Sequence, residues 1–308
     1  MEKNDKIFVA GHNGLVGSAI VRQLKQKGFD NLILKERAEL DLTNQEQVKI
    51  IFEKYQPNYV FLAAAKVGGV YANNTYRAEF IYENLITQTN IIHQSFLSEV
   101  KKLLFLGCSS MYPQMTPQPM KEEFLFSGYL EPTNEPFAVA KLAGIKMCES
   151  YNRQYGTDFI TVIPTNLYGP GQSYELMNCL VMPALLRKFH EAKQSKAKEV
   201  TIWGTGRASR DFLFVDDLAD AVIFLMEKYS GNEVFNIGTG KDHTIAELST
   251  LMSKVVGYSG NIVYDISKPE GVLVKLQDIS KMKNLGWNNQ VPLEKGLQST
   301  YSSYLREN

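Results

Sequence analysis

The apolar run Phe8-Val9-Ala10 passes straight into Gly11-His12-Asn13-Gly14-Leu15-Val16-Gly17, and this junction constrains the fold more than any other stretch of the chain. Glycines at three-residue spacing behind a strand let the backbone turn tightly and leave no Cβ between its amides and an approaching anion. The apolar periodicity that follows, over 15–27, predicts a helix whose positive N-terminal end faces that same anion. Strand, glycine turn and helix in this order open a βαβ unit, so the expectation is a pyrophosphate held at the edge of a parallel sheet. Gly11, Asn13, Gly14, Leu15, Val16 and Gly17 are placed around it.

The rest of the first half keeps the alternation. Short β-rich apolar runs at 6–10, 31–34, 59–62, 102–106 and 159–164 predict strands, and 45–55, 79–97 and 138–155 carry helical periodicity. The last two of these helices bear apolar residues on more than one face, which suits either two core helices or a subunit interface. After Gly169-Pro170-Gly171 the alternation loosens. A helix over 183–193, strands at 200–203 and 212–215, a helix over 218–229 and a strand at 233–237 that rejoins the main sheet are expected. A helix over 246–256, a strand at 261–264 and a helix over 293–305 complete the reading. The fold class is α/β: a doubly wound parallel Rossmann sheet with a smaller C-terminal α/β lobe. Residues 1–170 are assigned to the dinucleotide-binding domain, with 199–240 returning to it, and 171–308 mainly to the lobe.

Lys+Arg and Asp+Glu both total 33, so no net field favours nucleic acid or a membrane surface. No apolar run is long enough to cross a bilayer, and the first residues, Met1 to Lys6, have no signal-peptide core. Cys108, Cys148 and Cys179 are odd in number and lack metal-ligand spacing, which points to a reducing cytoplasm and to no structural metal. Behind the second strand, Lys35-Glu36-Arg37 offers both signs. A carboxylate there binds an adenosine ribose hydroxyl and cations favour a 2′-phosphate, so two cations around one acid favour NADPH, with Arg37 as the contact. The alternative is three solvated surface charges.

The segment Asn134-Glu135-Pro136-Phe137-Ala138-Val139-Ala140-Lys141 resembles the Tyr-x-x-x-Lys signature of short-chain dehydrogenases/reductases, with phenylalanine in the tyrosine position. In that signature a phenol and an ammonium lie one helical turn apart on one face. The strand over 102–106 leads into Gly107-Cys108-Ser109-Ser110-Met111-Tyr112-Pro113, at the sheet edge where doubly wound folds bind ligands. Further stretches narrow the match: Ala63-Ala64-Ala65-Lys66-Val67-Gly68-Gly69, Asn73-Asn74-Thr75-Tyr76, Glu131-Pro132-Thr133-Asn134 and Pro164-Thr165-Asn166-Leu167-Tyr168-Gly169-Pro170. Together they resemble the GDP-L-fucose synthase family of extended short-chain dehydrogenases, from the first strand to the last helix.

That resemblance implies NADPH-dependent reduction at C4 of a GDP-linked 4-keto-6-deoxy sugar after epimerisation at C3 and C5, and a homodimer. It implies that Lys141 orients the nicotinamide ribose and that position 137 supplies the proton. It puts Ala65, Pro164, Asn166 and Leu167 beside the cofactor, and Lys188, Trp203, Arg210 and Glu270, with Lys275 nearby, on the nucleotide sugar. Cations suit a diphosphate, and an aromatic face suits a guanine. Residues 171–178 and 271–274 are expected at the sugar end.

The chain departs from the family pattern at specific positions. The family serine that hydrogen-bonds the C4 oxygen falls at Cys108, a weaker donor, with Ser109 beside it as a substitute. The cysteine and histidine that shuttle protons during epimerisation correspond to Ser110 and Leu180. A serine hydroxyl is a poor base at neutral pH, and leucine carries no proton. Cys179 is a candidate stand-in; His12, His93, His190 and His243 lie elsewhere in the sequence. The expectation is a C4 reductase without the epimerase half, the alternatives being a bifunctional synthase or an inactive GDP-sugar-binding protein. Three explanations fit Phe137: a substitution made to hold a ternary complex, proton supply by water or a neighbouring hydroxyl, or loss of catalysis. An otherwise intact cofactor loop, Lys141 and nucleotide cations favour the first.

Overall fold

The computed structural model describes residues 1–175, 180–268 and 272–307. β1 (Ile7–Ala10), β2 (Leu32–Ile33), β3 (Tyr59–Leu62), β4 (Lys102–Leu106) and β5 (Phe159–Pro164) are interleaved with α1 (Leu15–Gln26), α2 (Gln45–Tyr55), α3 (Val70–Thr75), α4 (Arg77–Leu97) and α5 (Glu135–Tyr155). β6 (Asn166–Tyr168) then leads to α6 (Val181–Gln194), β7 (Glu199–Trp203), β8 (Ser209–Phe214), α7 (Val215–Lys228) and β9 (Val234–Ile237). The chain closes with β10 (Asp242–Thr244), α8 (Ile245–Val256), β11 (Asn261–Asp265), β12 (Val274–Lys275), α9 (Ser280–Asn284) and α10 (Leu293–Glu307).

Six strands form one parallel sheet in the order β2-β1-β3-β4-β5-β9. β1, β4 and β5 are buried along their whole length, which is why they read as continuous apolar runs and not as alternating ones. The order reverses at β1, with β2 on one side and β3 on the other, and this opens a crevice at the carboxyl ends of the strands. Ile20, Leu24, Phe61, Leu218 and Val222 fill one face under α1 and α7. Phe8, Phe52, Ile91, Phe105 and Ile145 fill the other under α2, α4 and α5.

A third cluster, including Tyr168, Leu186, Phe189, Met252 and Leu297, is the core of the smaller lobe. Here β8 is flanked by antiparallel β10 and parallel β12, its second half pairs in parallel with β6, and β7 pairs with β11. Within 199–240, α7 and β9 therefore pack on the large sheet, whereas β7 and β8 lie in the small ones.

Several expected boundaries move. The strand expected at 31–34 shrinks to Leu32–Ile33, an edge strand with β1 as its partner. The helix expected from 138 begins at Glu135, because Pro136 in the first turn brings a pre-set φ and forgoes an amide that has no partner there anyway. The strand expected at 212–215 is Ser209–Phe214, and Val215 opens α7 in place of Leu218. Asp216 and Asp217 sit in that first turn and complement its positive end.

Candidate active site

The glycine loop closes at the carboxyl end of β1. Gly11 has φ +86°, and a Cβ there would stand 2.7 Å from the backbone N and Cα of Ala64. A Cβ on Gly17 would stand 2.0 Å from the Gly11 carbonyl oxygen. Gly14 donates its N–H to that oxygen at 3.1 Å and caps α1 without a side chain, so the first helical amides stay open to a ligand. Asn13 and Gly14 are exposed, and Leu15 and Val16 are half-buried beneath them. Bare backbone pressed against Ala63 and Ala64, just past β3, and a helix N-terminus fit a dinucleotide pyrophosphate. At the end of β2, Lys35 is bound to Glu39 at 2.9 Å, while Glu36 and Arg37 are exposed.

α5 carries Phe137 and Lys141 one turn apart, and both are buried. Lys141 is 3% exposed. Its Nζ donates to the Leu106 carbonyl at 2.9 Å and stands 4.8 Å from the centre of the Phe105 ring. Burial pushes its pKa down to about 8, opposed by Cys108. Phe137 meets Phe80 edge-on, 6.3 Å between ring centres, in a small cluster with Ala72, Ala65 and Cys108. Cys108 Sγ lies 2.8 Å from Ser110 Oγ. Burial raises the thiol pKa, against the Ser110 hydrogen bond and the Lys141 charge, so at neutral pH Cys108 is a thiol. Ser109 and Ser110 share a single 3-10 turn behind β4.

The smaller lobe supplies the facing wall. Arg210 of β8 and Lys275 of β12 are register partners, and Arg210 Nη1 donates to the Ser209 carbonyl at 2.6 Å. The Lys275 ammonium and the Cys108 thiol are electrostatic neighbours, one from each lobe. Further out, Trp203 is 60% exposed, so it is not a core residue. Lys188 and Lys268 hold their ammoniums 5.6 Å and 5.8 Å from its ring centre, making an apolar shelf between two cations. Lys188 also donates to the Thr201 carbonyl.

Pro164 ends β5, and Asn166 and Leu167 open β6; the Asn166 amide donates to the Asp211 carbonyl at 3.0 Å. Leu180 precedes α6 and is exposed. Glu270 and Cys179 lie outside the described residues, as do 176–178 and 271 of the expected sugar-end loops. Sequence reading gave no role to Glu131, to Lys268 or to a buried network of Tyr112, Asn236 and Gln277. Glu131 and Tyr112 lie in segments that carry the resemblance but received no role of their own, and Tyr112, Asn236 and Gln277 meet only through the tertiary fold.

Residues 7–238 match the NAD dependent epimerase/dehydratase family. The chain belongs to that family. Within it, the chain is 55% identical over 305 residues to "GDP-L-fucose synthase 1" of Arabidopsis thaliana, covering 99% of this chain and 94% of that one. This places it in the GDP-L-fucose synthase group of NAD(P)-dependent oxidoreductases. Among solved structures, a GDP-6-OMe-4-keto-L-xylo-heptose reductase from C. jejuni superposes with a TM-score of 0.96 at 42% identity, covering 100% of this chain and 99% of that one. MlghC, a GDP-mannoheptose C4 reductase from Campylobacter jejuni solved with NADP bound, gives 0.92 at 45% identity, with 99% of each chain covered. The NADP in that relative agrees with the cofactor expected from Lys35-Glu36-Arg37.

Proposed function

We propose that this chain reduces the C4 ketone of a GDP-linked 4-keto sugar with NADPH. The observation that carries the reading is the buried Lys141 ammonium, anchored on the Leu106 carbonyl one turn from position 137 and within electrostatic reach of Cys108. When bound, the dinucleotide supplies the hydride. Gly11 to Gly17 hold its pyrophosphate and Arg37 its 2′-phosphate. Lys141 fixes the nicotinamide ribose, with Ala65, Pro164, Asn166 and Leu167 around the ring. Cys108 and Ser109 direct hydrogen bonds at the sugar C4 oxygen. Trp203 offers a face for the guanine, while Lys188 and Arg210 neutralise the diphosphate, with Glu270 at the nucleoside and Lys275 nearby on the sugar side. With NADPH and a nucleotide sugar as its reactants, the enzyme is proposed to act in the cytoplasm.

Ser110 and Leu180 argue that the epimerase half is lost, since neither exchanges a proton at carbon near neutral pH. In deuterated water, with the GDP-4-keto sugar and this protein, no enzyme-dependent label is expected at C3 or C5. Substantial exchange by mass spectrometry would restore the bifunctional reading. The second reading is a GDP-sugar-binding protein without turnover, favoured by Phe137 alone.

The outward faces of α4 and α5 expose Tyr82, Leu97, Val139 and Tyr155, and the proposed assembly is a homodimer through these helices. Sedimentation is expected to give twice the 34.8 kDa chain mass, and Leu97→Glu to shift it toward the monomer. A monomeric parent protein would exclude the dimer.

A further inference from the structure

A reductase with phenylalanine at 137 needs its proton from another group, and the cleft contains one of suitable chemistry. Lys275 ends β12, and two residues further on Gln277 makes an isolated parallel bridge with Met120. Residues 118–120 brace that segment: Met120 N–H donates to the Leu276 carbonyl at 2.7 Å, Leu276 N–H to Gln118 Oε1 at 2.8 Å, and Asp278 N–H to the Met120 carbonyl at 2.9 Å. Side chains alternate along extended backbone, so Lys275 and Gln277 leave the same face.

The direction of that face is fixed by Gln277, which is buried. Its Nε2 donates to the Ile163 carbonyl at 3.1 Å and to Asn236 Oδ1 at 2.9 Å, at the carboxyl end of the large sheet. Tyr112, four residues beyond Cys108 in the same loop, donates its hydroxyl to that same Asn236 Oδ1 at 2.7 Å. One carboxamide thus ties the Cys108 loop to the Lys275 strand. Half-buried Lys275 is the register partner of Arg210 on β8, and Glu131 from the loop before α5 and Cys108 are its other electrostatic neighbours. Among the described residues its ammonium donates no hydrogen bond.

We infer that Lys275 is the proton donor to the sugar C4 oxygen in this chain, and that Asn236, Gln277 and Tyr112 are the positioning residues that hold it there; the inference rests on the reductase reading. C4 gains a hydride from the dihydronicotinamide, which is oxidised as the ketone is reduced. The C4–O π pair takes a proton from Lys275 Nζ, leaving a neutral amine that solvent reprotonates. Burial, and then Arg210, lower the pKa of this ammonium against the pull of Glu131 and Cys108, which makes it a readier acid than a surface lysine.

A double-mutant cycle with Phe137→Tyr tests the assignment. Lys275→Met is expected to lower kcat by about 10²-fold in the Phe137 chain, the lower end of the range for general acids, and by less than about threefold once tyrosine occupies 137. Lys275→Arg, which keeps the charge without a readily transferred proton, is expected to fall with the methionine variant. Gln277→Met is expected to lower kcat in the Phe137 chain alone, with the KM for NADPH unchanged. Two readouts are independent of turnover: GDP affinity of Lys275→Met by calorimetry within about threefold of the parent, and pH-dependent acetylation showing the Lys275 amine reactive at lower pH than exposed Lys3. Equal kcat losses in both backgrounds, a large loss of GDP affinity, or a surface-like acetylation profile would each overturn the inference. So would a Phe137 chain with no turnover beside an active Phe137→Tyr. An inactive Phe137→Tyr that still binds both ligands would overturn the reductase reading itself.

Discussion

Phe137→Tyr is expected to raise kcat for NADPH oxidation by about 10²-fold with a GDP-4-keto sugar. General acid catalysis contributes ~10²–10⁴-fold, and Lys275 already meets part of the demand. The helix is prepared for the phenol. Position 137 is one turn from Lys141, whose ammonium is fixed on the Leu106 carbonyl and buried beneath the same surface. An adjacent cation favours the phenolate, so it lowers the cost of giving up the proton. The ring site against Phe80, Ala72 and Cys108 already accepts a six-membered ring, so the exchange adds one oxygen and moves no backbone. Stopped-flow absorbance at the NADPH band is the measurement. No turnover with either residue at 137, with both ligands bound, would make this chain a GDP-sugar-binding protein and remove the reductase reading.

The second large effect is expected at the glycine loop. Gly17→Ala puts a Cβ 2.0 Å from the Gly11 carbonyl oxygen, far inside contact distance. Neither partner yields cheaply. Gly11 is itself at φ +86° and pressed against Ala64, and α1 is held by Ala19, Ile20 and Leu24 in the core. Overpacking of this kind costs ~1–3 kcal/mol, a factor of about 5–150 in binding if the loop absorbs the shift. NADPH affinity by fluorescence titration is therefore expected to fall by more than tenfold, while GDP affinity, set in the other lobe, is unchanged. Equal loss of both would show that the substitution unfolds the protein and does not act through the cofactor cradle.

Much of this architecture was legible because its signals are local. The strand–glycine–helix junction, the long buried strands and the Phe137–Lys141 spacing each follow from residues within a few positions of one another. Errors fell where local signals compete. The short edge strand β2 was overextended, and the starts of α5 and α7 were placed late because a proline and two aspartates belong to first turns and not to loops. The short elements α3, β6, β10, β12 and α9 have too few residues to show a period at all. Trp203 stands exposed between Lys188 and Lys268, a placement that no local pattern records.

The sequence by itself determined the fold class, the phosphate loop, the family and the loss of a proton at 137, because each is written in contiguous spacing. Only the tertiary structure brought the Lys275 strand to the Cys108 loop. That meeting depends on Gln277, Asn236 and Tyr112, residues more than a hundred positions apart in part, converging on one buried carboxamide. A buried polar group must find its partners wherever the fold supplies them, and no local periodicity records where that will be.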